Sequence, residues 1–247
     1  INIVNASTTK CSTTKFTISF WDGMTYVSPI TAEPSSLFSE FPSSVLSIVD
    51  ADGDLLEYTS IQYHIHRGAE HRVEGVQAAL ELHLVHKLSP YFDDPRNYAV
   101  VGLLFYLDES LVTNLFDVVD FTTPQRKNFK TILSPFITGQ NVYHYRGSLT
   151  TPTCGEIVNW YVVKQQYPIR QAQLDKLVTI LNNGEPSARD VQPLNNRTVW
   201  YITPECATNM PNIKYNILSN NNSSNTTIGA ARLFVLIVVL LASLIVL

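Results

Sequence analysis

Through its first sixty residues the chain alternates short apolar runs with turn-forming clusters. Phe16-Thr17-Ile18-Ser19-Phe20 and Val45-Leu46-Ser47-Ile48-Val49 are the apolar runs, and Glu33-Pro34-Ser35-Ser36 and Asp50-Ala51-Asp52-Gly53 are the punctuation. A strand sends successive side chains to opposite faces, so this rhythm predicts strands joined by tight turns. Residues 61–107 add three more strands, of which Tyr98-Ala99-Val100-Val101-Gly102-Leu103-Leu104-Phe105 is apolar on both faces, as a buried central strand should be. The period then changes. Residues 108–135 read as amphipathic helix and loop, and 167–184 as a helix, with Leu174, Leu177, Ile180 and Leu181 on one stripe and Gly184 where a helix stop is expected. The prediction is one mostly β domain with peripheral helices over residues 1–206.

Beyond it the composition shifts. Residues 207–232 form a polar stalk, richest in Asn, Ser and Thr over 216–227, and 233–247 are fifteen uncharged residues, apolar but for Ser243. A membrane-spanning helix wants about 20 apolar residues. A glycolipid-anchor signal asks for small residues, a spacer of about 8–12 and a tail of about 10–20. Asn222-Ser223-Ser224, spacer 225–232 and tail 233–247 fit the second pattern better than a single-span helix, so lipid attachment at Asn222 and a place on the extracellular face of the plasma membrane are expected. Five Asn-x-Ser/Thr sequons, at Asn5, Asn196, Asn221, Asn222 and Asn225, agree with a glycoprotein of the secretory pathway. The formal charge of −4 and the lack of a basic cluster argue against nucleic acid as a partner. Cys11, Cys154 and Cys206 are too few for a disulfide-built scaffold, and the odd count leaves at least one unpaired within the chain.

The candidate chemistry lies in Gln62-Tyr63-His64-Ile65-His66 and Glu81-Leu82-His83-Leu84-Val85-His86. On strands, His64 and His66 share one face, as do Glu81, His83 and Val85. If the two runs pair as neighbours, His64, His66 and His83 converge. Three nitrogen ligands with a fourth position open is the arrangement of a catalytic zinc site, not of a structural one. A zinc-bound imidazole needs its other N–H held, and Gln62 and Glu81 each stand two residues before a histidine, on its face. His71 and His86 are expected to make structural hydrogen bonds instead.

Ile61 to His66, Glu70-His71, Leu80 to His86, Gly147-Ser148-Leu149-Thr150-Thr151-Pro152 and Val191 to Arg197 resemble the α-class carbonic anhydrases, and the resemblance runs from residue 1 to about Arg197. It implies one large twisted, mainly antiparallel sheet, zinc as cofactor, and reversible hydration of carbon dioxide to bicarbonate and a proton. It also implies a gatekeeper hydroxyl at Thr150 that donates to Glu70, with Thr151 lining the same site. The dry wall for carbon dioxide would be Val85, Val100, Leu149 and Trp160, with Tyr145 and Glu156 in supporting roles. The chain departs from the family in Arg67 and Thr153, which replace a usual tryptophan and proline, and in a short loop between His66 and Glu70. Where fast members carry a shuttle histidine, this chain has Pro34, and all six histidines lie at His64 or later. No proton shuttle is therefore expected, His144 serving only if it faces the cavity. Ile1-Asn2-Ile3 resembles the tail of the family's Ser-Pro-Ile-Asn-Ile stretch, which implies a natural N-terminus and secretory signal upstream of Ile1, and with them the partner of Cys154. The alternative function is a carbonic anhydrase-like cell-surface binding module with little activity. Such relatives have typically lost a ligand, and this chain keeps all three. Oligomeric state is not predicted.

Overall fold

The computed structural model describes residues 1–3, 9–12, 14–27, 36–38, 44–50, 53–110, 114–181 and 187–203. The chain divides into units Ile1–Ile217 and Leu218–Leu247. The second unit, and with it Asn222, the sequons from Asn221 to Asn225 and the apolar tail, lies outside the described residues. So do Asn5, Glu33, Pro34 and the helix stop expected at Gly184. Among the described residues no helix is long and apolar enough to cross a membrane.

The first strands are β1 (Asn2–Ile3), β2 (Thr9–Cys11), β3 (Lys15–Phe20), β4 (Met24–Val27), β5 (Ser36–Phe38) and β6 (Ser44–Val49). The long β7 (Leu55–Arg67) follows, then the short β8 (Arg72–Val73) and β9 (Val76–Gln77), then β10 (Leu80–Leu88) and β11 (Tyr98–Leu107). The remainder is α1 (Leu115–Val118), β12 (Gln125–Asn128), α2 (Phe129–Ile137), β13 (Val142–Gly147), β14 (Val158–Val163), β15 (Tyr167–Ile169), α3 (Gln171–Val178) and β16 (Val199–Ile202).

One large sheet runs in the order β2-β16-β13-β14-β11-β10-β7-β6-β3, with β15 added to β11 and β5 to β7. Its pairings are antiparallel except β11 with β14, β11 with β15 and β16 with β2. The expected mostly β, mainly antiparallel architecture is what the chain adopts. β11 is central and splits its side chains by parity. Ala99, Val101, Leu103 and Phe105 join a core with Leu82, Leu84, Leu115, Phe129 and Leu133, while Val100 and Leu104 join a second core with Val85, Tyr145 and Trp160. The sheet is thus buried on both faces here, which is why β11 is a nearly unbroken apolar run. Each Leu closed off from water contributes roughly 1.5–3 kcal/mol.

Two helix expectations are corrected. Residues 167–184 are not one helix: Tyr167-Pro168-Ile169 is a strand parallel to the end of β11, and only Gln171–Val178 are helical. Pro168 fixes its own φ and holds Tyr167 in extended backbone, and Phe105 and Tyr106 offer a ladder for them to join. Residues 108–135 likewise include a strand, β12, paired antiparallel with β4. The two helices there are short. Asn114 caps the first by accepting from Phe116 N–H, and Asn128 caps the second by accepting from Thr131 N–H.

Candidate metal centre

β10 pairs antiparallel with β7 so that His83 stands opposite His64, Glu81 opposite His66 and Val85 opposite Gln62. Directly opposed residues share a face, so this register brings together the three imidazoles that period-two reasoning placed on one side. Their candidate ligand atoms all lie within 4.8 Å of one another. His83 Nδ1 and His64 Nε2 are 3.1 Å apart. Donors at 2.0–2.1 Å from a tetrahedral ion would be roughly 3.3 Å apart, so the spacing suits zinc.

The far nitrogens of His83 and His66 are occupied. His83 Nε2–H donates to Glu81 Oε1 at 2.9 Å, and His66 Nδ1–H donates to the Ser187 carbonyl at 3.3 Å. That leaves His66 Nε2 buried with no hydrogen-bond partner. Native proteins rarely orphan a buried nitrogen, and an imidazole lone pair facing two others is what a soft-to-borderline cation requires. The donor set therefore fits zinc.

Glu81 is the anchor of the arrangement. It is fully buried, and Oε2 accepts from the backbone N–H groups of Glu70 and His71, each at 2.9 Å. Oε1 accepts from His83 and, at 2.7 Å, from His71 Nδ1–H. Tyr145 Oη–H donates to His71 Nε2 at 2.7 Å, completing a chain from tyrosine to metal-site histidine. Burial would raise the Glu81 pKa, but His71 and His83 outweigh it and hold the carboxyl well below its usual range. Burial pulls His83 down, yet the Glu81 charge overcomes it and the net shift is upward. His64 and His66 have no carboxylate so close. Burial first, then neighbouring imidazoles, push both down, so they are neutral and their lone pairs are available at pH 7.

The three histidines lie in a cavity of about 400 Å³ whose wall includes Val85, Val100, Leu149, Thr150, Thr151 and Trp160. Every wall residue expected from the sequence is present. Tyr98 joins them, and its parity with Val100 on β11 could have revealed it. Gln62 also lines the cavity, but no hydrogen bond joins it to an imidazole. Its expected part in holding a ligand is not seen. Thr150 and Glu70 are likewise not hydrogen-bonded to each other. Glu70 Oε1 accepts from Arg189 N–H at 2.9 Å, and Oε2 is buried without a partner, 3.5 Å from His66 Nε2. The short loop after His66 puts the two residues in an i, i+4 relation that draws the carboxylate toward the imidazole. The Ser187 carbonyl and Arg189 N–H were invisible to sequence reasoning, because every residue type carries the same backbone groups.

Elsewhere, His86 bonds Ser44 Oγ at 2.8 Å and the Leu84 carbonyl at 3.1 Å, and is structural. His144 donates to the Trp160 carbonyl and stacks on Tyr161, buried in the sheet and not on the cavity wall. Among the described residues Cys154 forms no disulfide.

Three imidazoles backed by a buried carboxylate, lining a partly apolar cavity on a large mixed sheet, make a centre with the donors to hold a metal ion. Residues 1–203 match the family model for eukaryotic-type carbonic anhydrase, and the protein is a member of that family. Alpha carbonic anhydrase 3 of Arabidopsis thaliana is 31% identical over 166 residues, covering 64% of this chain and 58% of the relative. Carbonic anhydrase 4 of Mus musculus is 28% identical over 174 residues, covering 60% and 57%. The chain thus spans under two thirds of the length of these curated relatives. An α-carbonic anhydrase from Thermovibrio ammonificans, solved with sulfanilamide, superposes with a TM-score of 0.60 at 26% identity, over 81% of this chain and 84% of that one.

Proposed function

We propose that this protein is a zinc-dependent carbonic anhydrase that interconverts carbon dioxide with bicarbonate and a proton. The observation that carries the reading is the convergence of His64, His66 and His83, with an orphaned inner nitrogen, in a cavity with an apolar wall. A zinc ion held by these three nitrogens would supply a water whose pKa is lowered to about 7. The chain's own residues do the rest. Glu81 and the Ser187 carbonyl fix the orientation of His83 and His66. Val85, Val100, Leu149 and Trp160 give a substrate without hydrogen-bond donors a surface that does not favour water. Thr150 places a hydroxyl on the wall beside the imidazoles, where it can orient the attacking oxygen. Zinc analysis combined with stopped-flow carbon dioxide hydration tests the reading, and a protein without stoichiometric zinc or hydration activity would defeat it.

One observation favours the second reading, a cell-surface binding module with little activity: Thr150 makes no hydrogen bond to Glu70, whose Oε2 is left without a partner. Full zinc occupancy with negligible hydration would select it.

The location is part of the same proposal. The polar stalk and the uncharged tail of 233–247 support a lipid attached at Asn222 and an extracellular catalytic domain. Cells treated with a phosphatidylinositol-specific phospholipase should release the protein to the medium. Protein that stays bound with its C-terminal peptide intact would support a spanning helix instead.

A further inference from the structure

Gly102 stands directly opposite His83 on β11 and beside Val162 on β14. A methyl group there would lie 2.7 Å from Glu81 Oε1, well inside contact distance, and, its chain neighbours aside, no nearer than 3.7 Å to any other residue, the Val162 Cγ2 being next. The sheet has room for a side chain at this point, and the carboxylate does not. A surface carboxylate would swing aside at little cost. Glu81 is filled by two backbone N–H groups and two imidazoles, so moving Oε1 breaks its bonds to His71 and His83 together. The effect of a substitution is thus channelled through one atom, Glu81 Oε1, and reaches the imidazole cluster through its hold on His83 Nε2–H.

We propose that Gly102 is a positioning residue of the metal centre: its missing side chain is the space in which the Glu81 carboxylate bridges His71 and His83. Its consequence for the metal rests on the reading of His64, His66 and His83 as zinc ligands. The backbone at Gly102 needs no positive φ, so the glycine is not there for a turn. It is there for what occupies the place of its side chain.

The test is Gly102→Ala, judged first without metal. Imidazole ¹⁵N–¹H spectra of the metal-free protein should show His83 protonated at Nε2 and hydrogen-bonded in the unaltered chain, and that signal should be lost or shifted to the other nitrogen in the variant. A merely structural glycine would lower the melting temperature and leave the spectrum unchanged, which would overturn the proposal. Zinc affinity, measured by chelator competition, should fall about 10–100-fold, the range for losing a group that orients a ligand, and the visible spectrum of the cobalt-substituted protein should change. Unaltered affinity and spectrum would overturn it too. The same substitution in a Glu81→Ala background should cost nothing further, because its target is gone. An additive loss would count against the mechanism. Should Gly102→Ala fail to fold, Gly102→Ala with Glu81→Ala must fold where the single variant does not, or the proposal falls. A wild-type chain that binds no zinc would refute the reading of the three histidines, while the metal-free spectra would still decide the role of Gly102.

Discussion

His83 and His86 stand three residues apart on β10, neither exposed to solvent, and their environments have nothing in common. His83 faces the cavity, with a carboxylate on one nitrogen and two further imidazoles at the other. His86 lies past an irregularity in the ladder between Val85 and His86, and bonds a serine hydroxyl and its own strand's carbonyl. Burial acts on both, and where nothing opposes it the outcome is plain: the His86 pKa is pushed down to about 4. Beside Glu81 the charge wins, and His83 shifts upward. Burial alone makes a histidine a neutral strut. Burial against a fixed carboxylate fixes its tautomer and turns the other nitrogen toward the cavity, which is how a metal ligand is oriented.

The largest expected effect would break this contrast outright. His83→Ala should lose most of the zinc and essentially all hydration activity, while His86→Ala should keep stoichiometric zinc and lose about 1–3 kcal/mol of stability through the unsatisfied groups it leaves. Metal content, stopped-flow rates and urea unfolding on both variants check it. Zinc retained by His83→Ala, or lost by His86→Ala, would show that the two faces are not divided as described.

Within the cavity, Thr150→Ala should keep zinc and lower the catalytic constant by ~10²-fold, the order for removing one positioned transition-state hydrogen bond. An unchanged constant would mean that Thr150 is wall and nothing more.

On the opposite side the test is stability against pH. His86 and His144 are both pushed down to about 4 by burial, whereas the unfolded chain's histidines titrate near 6.5. The unfolded state therefore takes up protons first as pH falls. The stability that depends on these neutral rings is complete above about pH 6.5 and is lost progressively down to pH 4, roughly 3 kcal/mol for each ring. His86→Gln should flatten the stability curve in that window and leave the share of His144. A slope identical to that of the unaltered protein would show that His86 is not the strut proposed.

The smallest effect concerns proton export. Among the described residues of the cavity wall, Tyr98 is the titratable side chain besides the three imidazoles, and His144 is elsewhere. A group with pKa near 7 moves protons best at neutral pH. Turnover in weak buffer should accordingly rise a few-fold with added imidazole. A high, buffer-independent turnover would point to a shuttle beyond the described residues.

Period two was enough to put His64 with His66 on one face of β7, and Glu81 with His83 on the face of β10 opposite Leu82 and Leu84, because a strand's alternation is local and needs no partner to be read; the register of β10 on β7 made the two faces one. The same alternation, broken by an apolar run, marked β11 as central. Three things waited for the tertiary structure. Tyr167-Pro168-Ile169 became a strand because the end of β11 offered it a ladder, a contact from sixty residues away that helical periodicity cannot sense. The hold on His66 and Glu70 comes from the backbone of Ser187 and Arg189, and backbone groups leave no trace in residue type. Gly102 reads in the sequence as a gap in an apolar strand. Only the pairing of β10 with β11 shows that the gap is filled by the carboxylate of Glu81.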